Sequence, residues 1–156
     1  MRRIALIATL VSGFGCSWAP EASAQSTAHT MIVPSELKWA PVPSLPPGAE
    51  IAVIQGPMNT ATPFTIRLRF PADYKIPAHS HPAIEHVTVL SGTFNMGTGD
   101  KLETSKTMAL PPGGMAIMQP GTNHFAWTKE ATIVQLHGVG PWAVNYVNPA
   151  DDPRNK

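Results

Sequence analysis

The stretch PAHSHPAIEHVTVLSG, residues 77–92, contains the residue pattern that decides how the rest of the chain is interpreted. His79 and His81 are separated by one residue, and alternate side chains of an extended backbone point to the same side. Glu85 follows a bend that contains a proline, and it opens an apolar run typical of a buried strand. Two imidazoles and one carboxylate on neighbouring backbone are suitable ligands for a transition metal and leave other coordination positions open.

A fourth ligand is expected from a second turn further along the chain. His124 ends the segment PGTNH, residues 120–124, and therefore follows a Gly/Pro turn. Two histidines close together are weak evidence by themselves, because such a pair can be a surface coincidence. Glu85, Gly92 and the second turn with His124 strengthen the interpretation as a metal site.

The first segment resembles the first motif of the cupin superfamily, in which an H-x-H pair is followed by a glutamate and then by a glycine. The matching residues are His79, His81, Glu85 and Gly92. The resemblance extends over residues 64–146 and implies an all-β fold, the cupin double-stranded β-helix, which is a jelly-roll-like barrel. It also implies one metal ion with four protein ligands. These ligands would be His79, His81, Glu85 and His124.

The second segment, GMAIMQPGTNH at residues 114–124, resembles the second cupin motif, in which a glycine, a Pro/Gly turn and a histidine follow one another. It departs from that motif at two places. Pro120 directly precedes Gly121, where cupins often have one residue between them, and Thr128 stands where an asparagine often follows the histidine. Neither departure removes a ligand, but the first can change the geometry of the turn.

Length and composition limit the classes of protein to which the chain can belong. A chain of 156 residues is enough for one domain, and a net charge of +1 offers no basic face for nucleic acid. Seventeen prolines and twelve glycines favour many turns and short strands over long helices. The sequence contains no G-x-S-x-G elbow, phosphate loop, C-x-x-C or H-E-x-x-H motif, so the common alternatives to a cupin-type metal site are absent.

The N-terminus has the features of an export signal. Arg2 and Arg3 precede an apolar segment, residues 4–11, that is too short to span a bilayer, and a small-residue cleavage site ends at Ala24. Cleavage there would remove Cys16, the only cysteine, and leave a mature chain without a thiol. The signal predicts a periplasmic or secreted protein that is free of the membrane after cleavage. An ordinary apolar N-terminal helix or anchor is the alternative.

We predict four segments from the change of pattern along the chain. They are a signal peptide at residues 1–24, a proline-rich arm at 25–47, the cupin barrel at 48–148 and a polar tail at 149–156. Within the barrel, alternating or apolar runs between turn residues predict short strands. These strands are expected at residues 50–55, 64–70, 93–96, 107–110, 115–118, 124–128, 131–137 and 142–147.

A predicted hairpin around the turn at residues 129–130 suggests two further site residues. Counting outward from a two-residue turn places Gln135 opposite His124 and His137 one step further along the same face. Gln135 and His137 are therefore predicted to lie behind the metal ligands as candidate catalytic residues. A slip of one residue would reverse this assignment, and His137 can instead be a hydrogen-bonded core histidine. His86 is predicted to point away from the metal.

Three functions are compatible with the resemblance. The first is an oxidoreductase of oxidase or dioxygenase type, which activates dioxygen or orients a chelating small organic or carbohydrate substrate. The second is a non-catalytic, metal-dependent module that binds or senses a small molecule, similar to the zinc-holding cupin part of some anti-sigma factors. The third is a redox-neutral isomerase or lyase acting on a sugar or hydroxy acid, with the metal as Lewis acid.

The expected cofactor is one divalent transition metal, because imidazole and carboxylate ligands suit several of them. Manganese, iron or copper is favoured, with nickel or zinc as alternatives. The expected partners are a small-molecule or carbohydrate substrate and a second copy of the chain, since small cupins commonly form homodimers through a sheet. No nucleic-acid partner is expected.

Overall fold

The computed structural model describes residues 29–156 of the chain. The predicted signal peptide, residues 1–24, lies outside this range and stays a prediction. Regular structure between residues 29 and 156 consists of β-strands and four single-turn 3-10 helices, with no α-helix. No helix of these residues is long and apolar enough to cross a membrane.

Eleven strands are present in the described part of the chain. They are β1 (Ala40–Pro41), β2 (Glu50–Gln55), β3 (Pro63–Phe70), β4 (Lys75–Ser80), β5 (Glu85–Ser91), β6 (Phe94–Thr98), β7 (Met108–Leu110), β8 (Met115–Met118), β9 (His124–Thr128), β10 (Thr132–Val139) and β11 (Asn145–Tyr146). The 3-10 helices are Pro34–Glu36, Thr104–Lys106, Pro149–Asp151 and Pro153–Asn155. The predicted strand at residues 142–147 is shorter than expected, because only β11 forms there.

The strands form two antiparallel sheets that enclose one core. The first sheet has the order β1-β2-β3-β10-β5-β8, and the second has the order β11-β4-β9-β6-β7. Neighbours within each sheet are mostly distant in sequence, so the chain passes repeatedly from one sheet to the other, as in a jelly roll. The predicted all-β cupin barrel is therefore confirmed.

Alternation along β3 shows how the sequence directs residues into the core. Phe64 and Ile66 are each 1 % exposed, whereas Arg67 and Arg69, further along the strand, are only half-buried. Arg69 forms an ion pair with Glu50 on β2. Because strand side chains alternate between faces, the apolar residues fill the barrel and the arginines lie on its outer face. Each large apolar side chain buried in this way contributes about 1.5–3 kcal/mol to stability.

The proline-rich arm contributes an edge strand to the first sheet. In β1, Ala40 pairs with Ile51 of β2. The neighbouring Trp39 lies under the guanidinium of Arg69, with 4.6 Å between the guanidinium carbon and the ring centroid. The arm therefore packs on the barrel, which agrees with the packing expected for a tryptophan in this segment.

The predicted hairpin between β9 and β10 is wrong. Strand β9 pairs with β4 and β6 in the second sheet, whereas β10 pairs with β3 and β5 in the first sheet. The turn at residues 129–131 therefore carries the chain from one sheet to the other instead of joining neighbours. A short turn between two strand-forming runs is compatible with either arrangement, and only the pairing partners of each strand decide between them.

Gly92 of the first motif is required by backbone geometry. Its φ is +73°, in the region that residues with a side chain rarely adopt. A Cβ atom built there would lie 2.6 Å from the carbonyl oxygen of Ala131 and 2.5 Å from the hydroxyl of Thr132. The glycine therefore allows the turn after β5 to pack closely against the start of β10.

Candidate metal centre

The four predicted ligands come from both sheets and line one interior cavity. His79 on β4 and His124 on β9 are direct cross-strand partners in the second sheet. His81 lies just after β4, and Glu85 is the first residue of β5 in the first sheet. The cavity is therefore bounded by side chains that are far apart in sequence and that the closure of the barrel brings together.

An irregularity in β4 turns His79 toward the interior. Pairing between β4 and β9 shifts register between Ile76 and His79. Ala78 and His79 are consequently buried one after the other, which a regular strand does not allow for side chains on one face. Such bulges re-aim side chains and are common beside functional sites. The shift restores alternation from His79 onward, so His81 also faces inward.

The turn of the second motif is hydrogen-bonded directly to the first motif. The backbone N–H of Gly121 donates to the carbonyl oxygen of His81 at 2.9 Å. The direct Pro120-Gly121 sequence, which departs from the common cupin pattern, is thus compatible with close contact between the two motifs. This bond helps to hold His124 and His81 in a constant relative position.

The cluster is compact and excluded from solvent. One ring nitrogen from each of His79, His81 and His124 lies within 4.8 Å of those of the other two. The Glu85 carboxylate completes the group, with Oε1 3.3 Å from Nε2 of His81 and Oε2 3.5 Å from Nε2 of His124. None of the four residues is more than 5 % exposed. The structure therefore brings the three predicted histidine ligands together and places Glu85 against two of them.

Backbone carbonyls orient all three imidazoles. Nδ1 of His79 is 2.7 Å from the oxygen of Pro77, and Nδ1 of His81 is 2.7 Å from that of Ala143. Nδ1 of His124 is 2.8 Å from the oxygen of Thr122. A carbonyl can only accept, so Nδ1 of each ring carries a proton, and in the neutral imidazole the lone pair is on Nε2. This second hydrogen bond is the arrangement that usually orients a metal-binding histidine.

Burial and neighbouring side chains shift the pKa values of His79 and Glu85. Burial, together with the neighbouring imidazoles of His124 and His81, lowers the pKa of His79 to about 3. Burial by itself raises the pKa of Glu85, but the adjacent His124 and His81 outweigh it and hold that pKa well below its usual range. At neutral pH the cluster therefore presents an unprotonated His79 and an ionised carboxylate.

The C-terminal segment contributes residues that sequence reasoning missed. The ring of Trp142 stacks on His81 with 4.2 Å between centroids and an interplanar angle of 22°. The ring of Tyr146 lies 6.0 Å from that of His79, and its backbone pairs with His79 across β11 and β4. The two aromatic residues in the tail were visible in the sequence, but no pattern there connects them with the histidines.

The rest of the cavity wall is apolar. Apart from the four clustered residues, its lining consists of Leu45, Leu68, Phe70, Ile76, Val87, Phe94, Met96, Ala126, Val134, Leu136, Trp142 and Val144. The free volume is about 30 Å³, which is room for one or two water molecules. Among these lining residues, only the cluster carries ionisable groups.

Gln135 and His137 do not lie behind the ligands, which corrects the prediction from the supposed hairpin. Alternation along β10 places Val134 and Leu136 in the core, and the Gln135 side chain accepts a hydrogen bond from Nε of Arg67 on the outer face. His137 stacks on His86, its cross-strand partner. Both residues therefore face away from the cavity, as His86 was predicted to do.

A protein-family model described as "ChrR Cupin-like domain" matches residues 27–143. The chain belongs to the ChrR cupin-like domain family. The match spans both cupin motifs and the Trp142 segment, so it covers every residue of the cluster described above. The resemblance read from the two motifs is therefore confirmed at the level of the family.

Solved structures similar to this cupin domain confirm the fold. The polyketide cyclase RemF from Streptomyces resistomycificus has a TM-score of 0.68 and 15% identity, covering 82% of this chain and 92% of that one. A putative acetylacetone dioxygenase from Methylibium petroleiphilum PM1 has a TM-score of 0.60 and 16% identity, with 83% and 88% covered. The Rhodobacter sphaeroides anti-sigma ChrR, solved in complex with SigE, has a TM-score of 0.52 and 18% identity, with 68% and 51% covered.

The structural similarities establish the fold of this cupin domain but not its function. The comparison with curated proteins finds no match. The proteins with similar structures carry different activities on one fold, and fold alone does not determine function. The function of the domain therefore depends on the residues of its own cavity.

Proposed function

We propose that this cupin domain is a metal-dependent oxidoreductase of oxidase or dioxygenase type that acts on a small chelating organic molecule. One divalent transition metal would be held by His79, His81, Glu85 and His124. The observation that carries the proposal is the common orientation of the three imidazoles. Each Nδ1 donates to a backbone carbonyl, which leaves the three Nε2 atoms available to a metal, and those of His81 and His124 lie beside the buried Glu85 carboxylate.

The residues present fit a metal ion. Nε2 of His81 is buried and makes no hydrogen bond within the protein. Burying a polar atom without a partner is costly, and a metal would supply the missing partner. Nitrogen and oxygen donors without thiolate suit manganese, iron or copper, and they also accept nickel or zinc. A bound metal would polarise the oxygen atoms of a chelating substrate and, if redox-active, exchange electrons with it.

The apolar lining supports an oxidoreductase over an isomerase or lyase. Proton transfer during isomerisation or elimination needs a positioned acid or base within hydrogen-bond reach of the substrate. Among the residues lining the cavity, every ionisable group belongs to the cluster that would bind the metal. A reaction driven by the metal itself is the chemistry that such a cavity supports best.

The cavity wall also bears on the class of substrate. A sugar would bring several hydroxyl groups into a wall of leucine, valine and phenylalanine side chains, where they would lack partners. Trp142 is the exception among these residues, because its buried Nε1 is a donor without a partner in the protein. We therefore propose a compact, mostly apolar molecule with two oxygen atoms for the metal and one acceptor for Trp142. Because the free volume of the cavity is about 30 Å³, side chains of the wall must move outward before such a molecule can bind.

A non-catalytic binding or sensing module is the second candidate, and the family match favours it. The family description names ChrR, and one similar structure is an anti-sigma ChrR in complex with SigE. The small cavity volume also fits a domain that responds to a small ligand or to the metal itself. In that case the cluster would bind metal, and a bound ligand would be released without chemical conversion.

Dioxygen uptake distinguishes the two candidates. The protein is loaded separately with Mn(II), Fe(II), Cu(II), Ni(II) and Zn(II), and oxygen consumption is followed with β-diketones, catechols, hydroxy acids and sugars. We expect turnover of a small chelator with at least one redox-active metal and none with Zn(II). His124→Ala should abolish it, whereas His137→Ala, a histidine on the outer face, serves as the matched control and should retain it.

The outcomes separate the proposals. Metal binding with tight binding of a chelator but no oxygen uptake with any metal would contradict the oxidoreductase and support the binding module. Product formed from a sugar or hydroxy acid without oxygen uptake, equally with Zn(II), would establish the isomerase or lyase instead. Failure of the protein to bind any of the five metals would overturn the metal centre itself.

A further inference from the structure

A cleft lined by methionines lies between β6, β7 and β8. Its volume is about 190 Å³. Four of the seven methionines of the chain line it, namely Met96, Met108, Met115 and Met118. The other lining residues are Gly97, Thr98, Leu110 and Ala116. The cleft therefore has a wall rich in thioethers, and no charged side chain contributes to it.

Strand register places three of the thioethers on the inner faces of the two sheets and the fourth on an outer face. Met96 on β6 and Met108 on β7 are cross-strand partners, so their side chains share one face of the second sheet. Met96 is buried and also lines the interior cavity, which identifies that face as the inner one. Met118 on β8 is the partner of Glu85 and shares its inward face. Met115 pairs with Thr88 and belongs to the opposite face of β8.

The cleft lies where the two sheets end. Strand β7 is the last strand of the second sheet, and β8 is the last strand of the first. Met108 is 70 % exposed, so the thioether nearest to solvent is directly accessible, whereas its partner Met96 is 7 % exposed. The three inward methionines thus extend from the surface to the interior across the gap between two edge strands.

We propose that Met96, Met108 and Met118 form a second metal site, which binds Cu(I). Thioethers are soft, neutral ligands, and among the biological first-row metals they select Cu(I). The cleft offers no carboxylate for calcium, magnesium or manganese and no imidazole or thiolate for zinc. A monovalent ion surrounded by neutral ligands also carries a smaller desolvation cost than a divalent one.

The sulfur inventory of the chain agrees with this assignment. Cys16 is the only cysteine, and the predicted cleavage after Ala24 would remove it. In such a mature chain, methionine thioethers are the only sulfur ligands that a soft metal could find. The site is distinct in chemistry from the histidine cluster, although Met96 lines both cavities.

The test uses Ag(I), an air-stable ion with the same ligand preference, and the full-length Cys16→Ser variant, in which no thiol competes for the ion, labelled with 13C at the methionine methyl groups. The histidine cluster is first saturated with Zn(II), which thioethers do not hold. Ag(I) is then added stepwise while the methyl resonances are recorded. We expect the signals of Met96, Met108 and Met118 to shift together and to saturate at one equivalent, while Met31 and Met58 stay unchanged.

Variants make the test specific. Met108→Leu keeps the volume and shape of an exposed side chain, so the fold is preserved. It should weaken Ag(I) binding by at least about ten-fold, the scale expected when a supporting ligand interaction is lost. Met31→Leu removes a thioether outside the cleft and should leave binding unchanged. Anaerobic competition for Cu(I) against a chromophoric chelator should reproduce the same order of affinities.

Equal shifts of all methionine methyl signals, or no shift below a large excess of Ag(I), would overturn the site. Unchanged affinity in Met108→Leu would do the same. The result does not depend on the proposed function, because the methyl signals report on thioethers alone. A protein that fails to bind metal at His124 can still pass this test, and the reverse also holds.

Discussion

The protein has two groups of histidines, one inside the barrel and one on the outer face of the first sheet, and they differ in burial, in the groups that orient their rings and in whether a carboxylate is present. His79, His81 and His124 are buried, each with Nδ1 held by a backbone carbonyl. His86 and His137 lie on the outer face with their rings stacked at 4.9 Å and an interplanar angle of 5°. In this outer pair, Nδ1 of His86 makes no hydrogen bond within the protein.

The difference shows that proximity of imidazoles is not enough to make a metal centre. Both groups bring rings within about 5 Å of each other. Only the inner group combines fixed tautomers, a carboxylate and exclusion of water, which together lower the cost of holding an ion. The four predictions below alter one or the other group, in order of decreasing expected effect.

Removing an inner ligand should have the largest effect. His124→Ala is expected to lose more affinity for Zn(II) than the roughly 10–100-fold that follows loss of an outer hydrogen-bond partner. Elemental analysis of purified protein and calorimetric titration measure this loss. His137→Ala should keep the parent stoichiometry, and equal losses in the two variants would show that the inner cluster is not the metal centre.

Acid should destabilise the metal-free protein through the inner group. The pKa of His79 is lowered to about 3 in the folded state and has its ordinary value of 6.5 when unfolded. Between these two pKa values the unfolded chain binds more protons than the folded one. The contribution of His79 to the free energy of unfolding is therefore fully present above about pH 6.5 and falls as pH decreases, by up to about 1.4 kcal/mol per pH unit. The lowered pKa of Glu85 acts in the same direction below its ordinary value of 4.5.

Urea unfolding of metal-free protein at several pH values between 7 and 4 measures this dependence. His79→Gln removes one of the two titrating groups and should flatten the curve between pH 6.5 and 4.5. His137→Gln, on the outer face, should leave the slope as it is in the parent. A stability that stays constant down to pH 4 in the parent would contradict the assigned protonation states.

Replacing Trp142 should have a smaller effect on the inner group. Trp142→Leu removes the ring that stacks on His81, and an aromatic pair of this kind contributes about 0.5–1.5 kcal/mol. We expect a lower free energy of unfolding and a several-fold loss of metal affinity. Trp142→Phe keeps a stacked ring but removes the N–H donor, so it should retain metal affinity and weaken binding of the substrate. Equal effects of both variants on metal affinity would exclude a role for stacking.

Altering the outer face should have the smallest effect. Gln135→Ala deletes one hydrogen bond from Arg67 at a half-buried position, which is worth about 0.5–1.5 kcal/mol. Metal content and any catalytic rate should not change, because the side chain faces away from the cavity. A changed rate at constant metal content would restore the role that the supposed hairpin suggested for this residue.

Much of the site was readable from local sequence, because metal ligands near one another in the chain leave a spacing pattern. H-x-H, the following glutamate and the glycine turn identified His79, His81 and Glu85, and the second turn identified His124. The contribution of Trp142 was not readable. It depends on a packing contact between His81 and Trp142, which are 61 positions apart, and the sequence around either residue does not indicate that contact.

The sequence by itself determined most of the strands, their inward apolar faces and the identity of the four clustered residues, since these follow from alternation and from motif spacing. Tertiary structure alone decided which strands are neighbours, and for that reason Gln135 and His137 lie on the outer face. It also decided the bulge between Ile76 and His79 that turns the first histidine inward. Register and bulges depend on the partner strand, and a partner that is distant in the chain leaves no local trace.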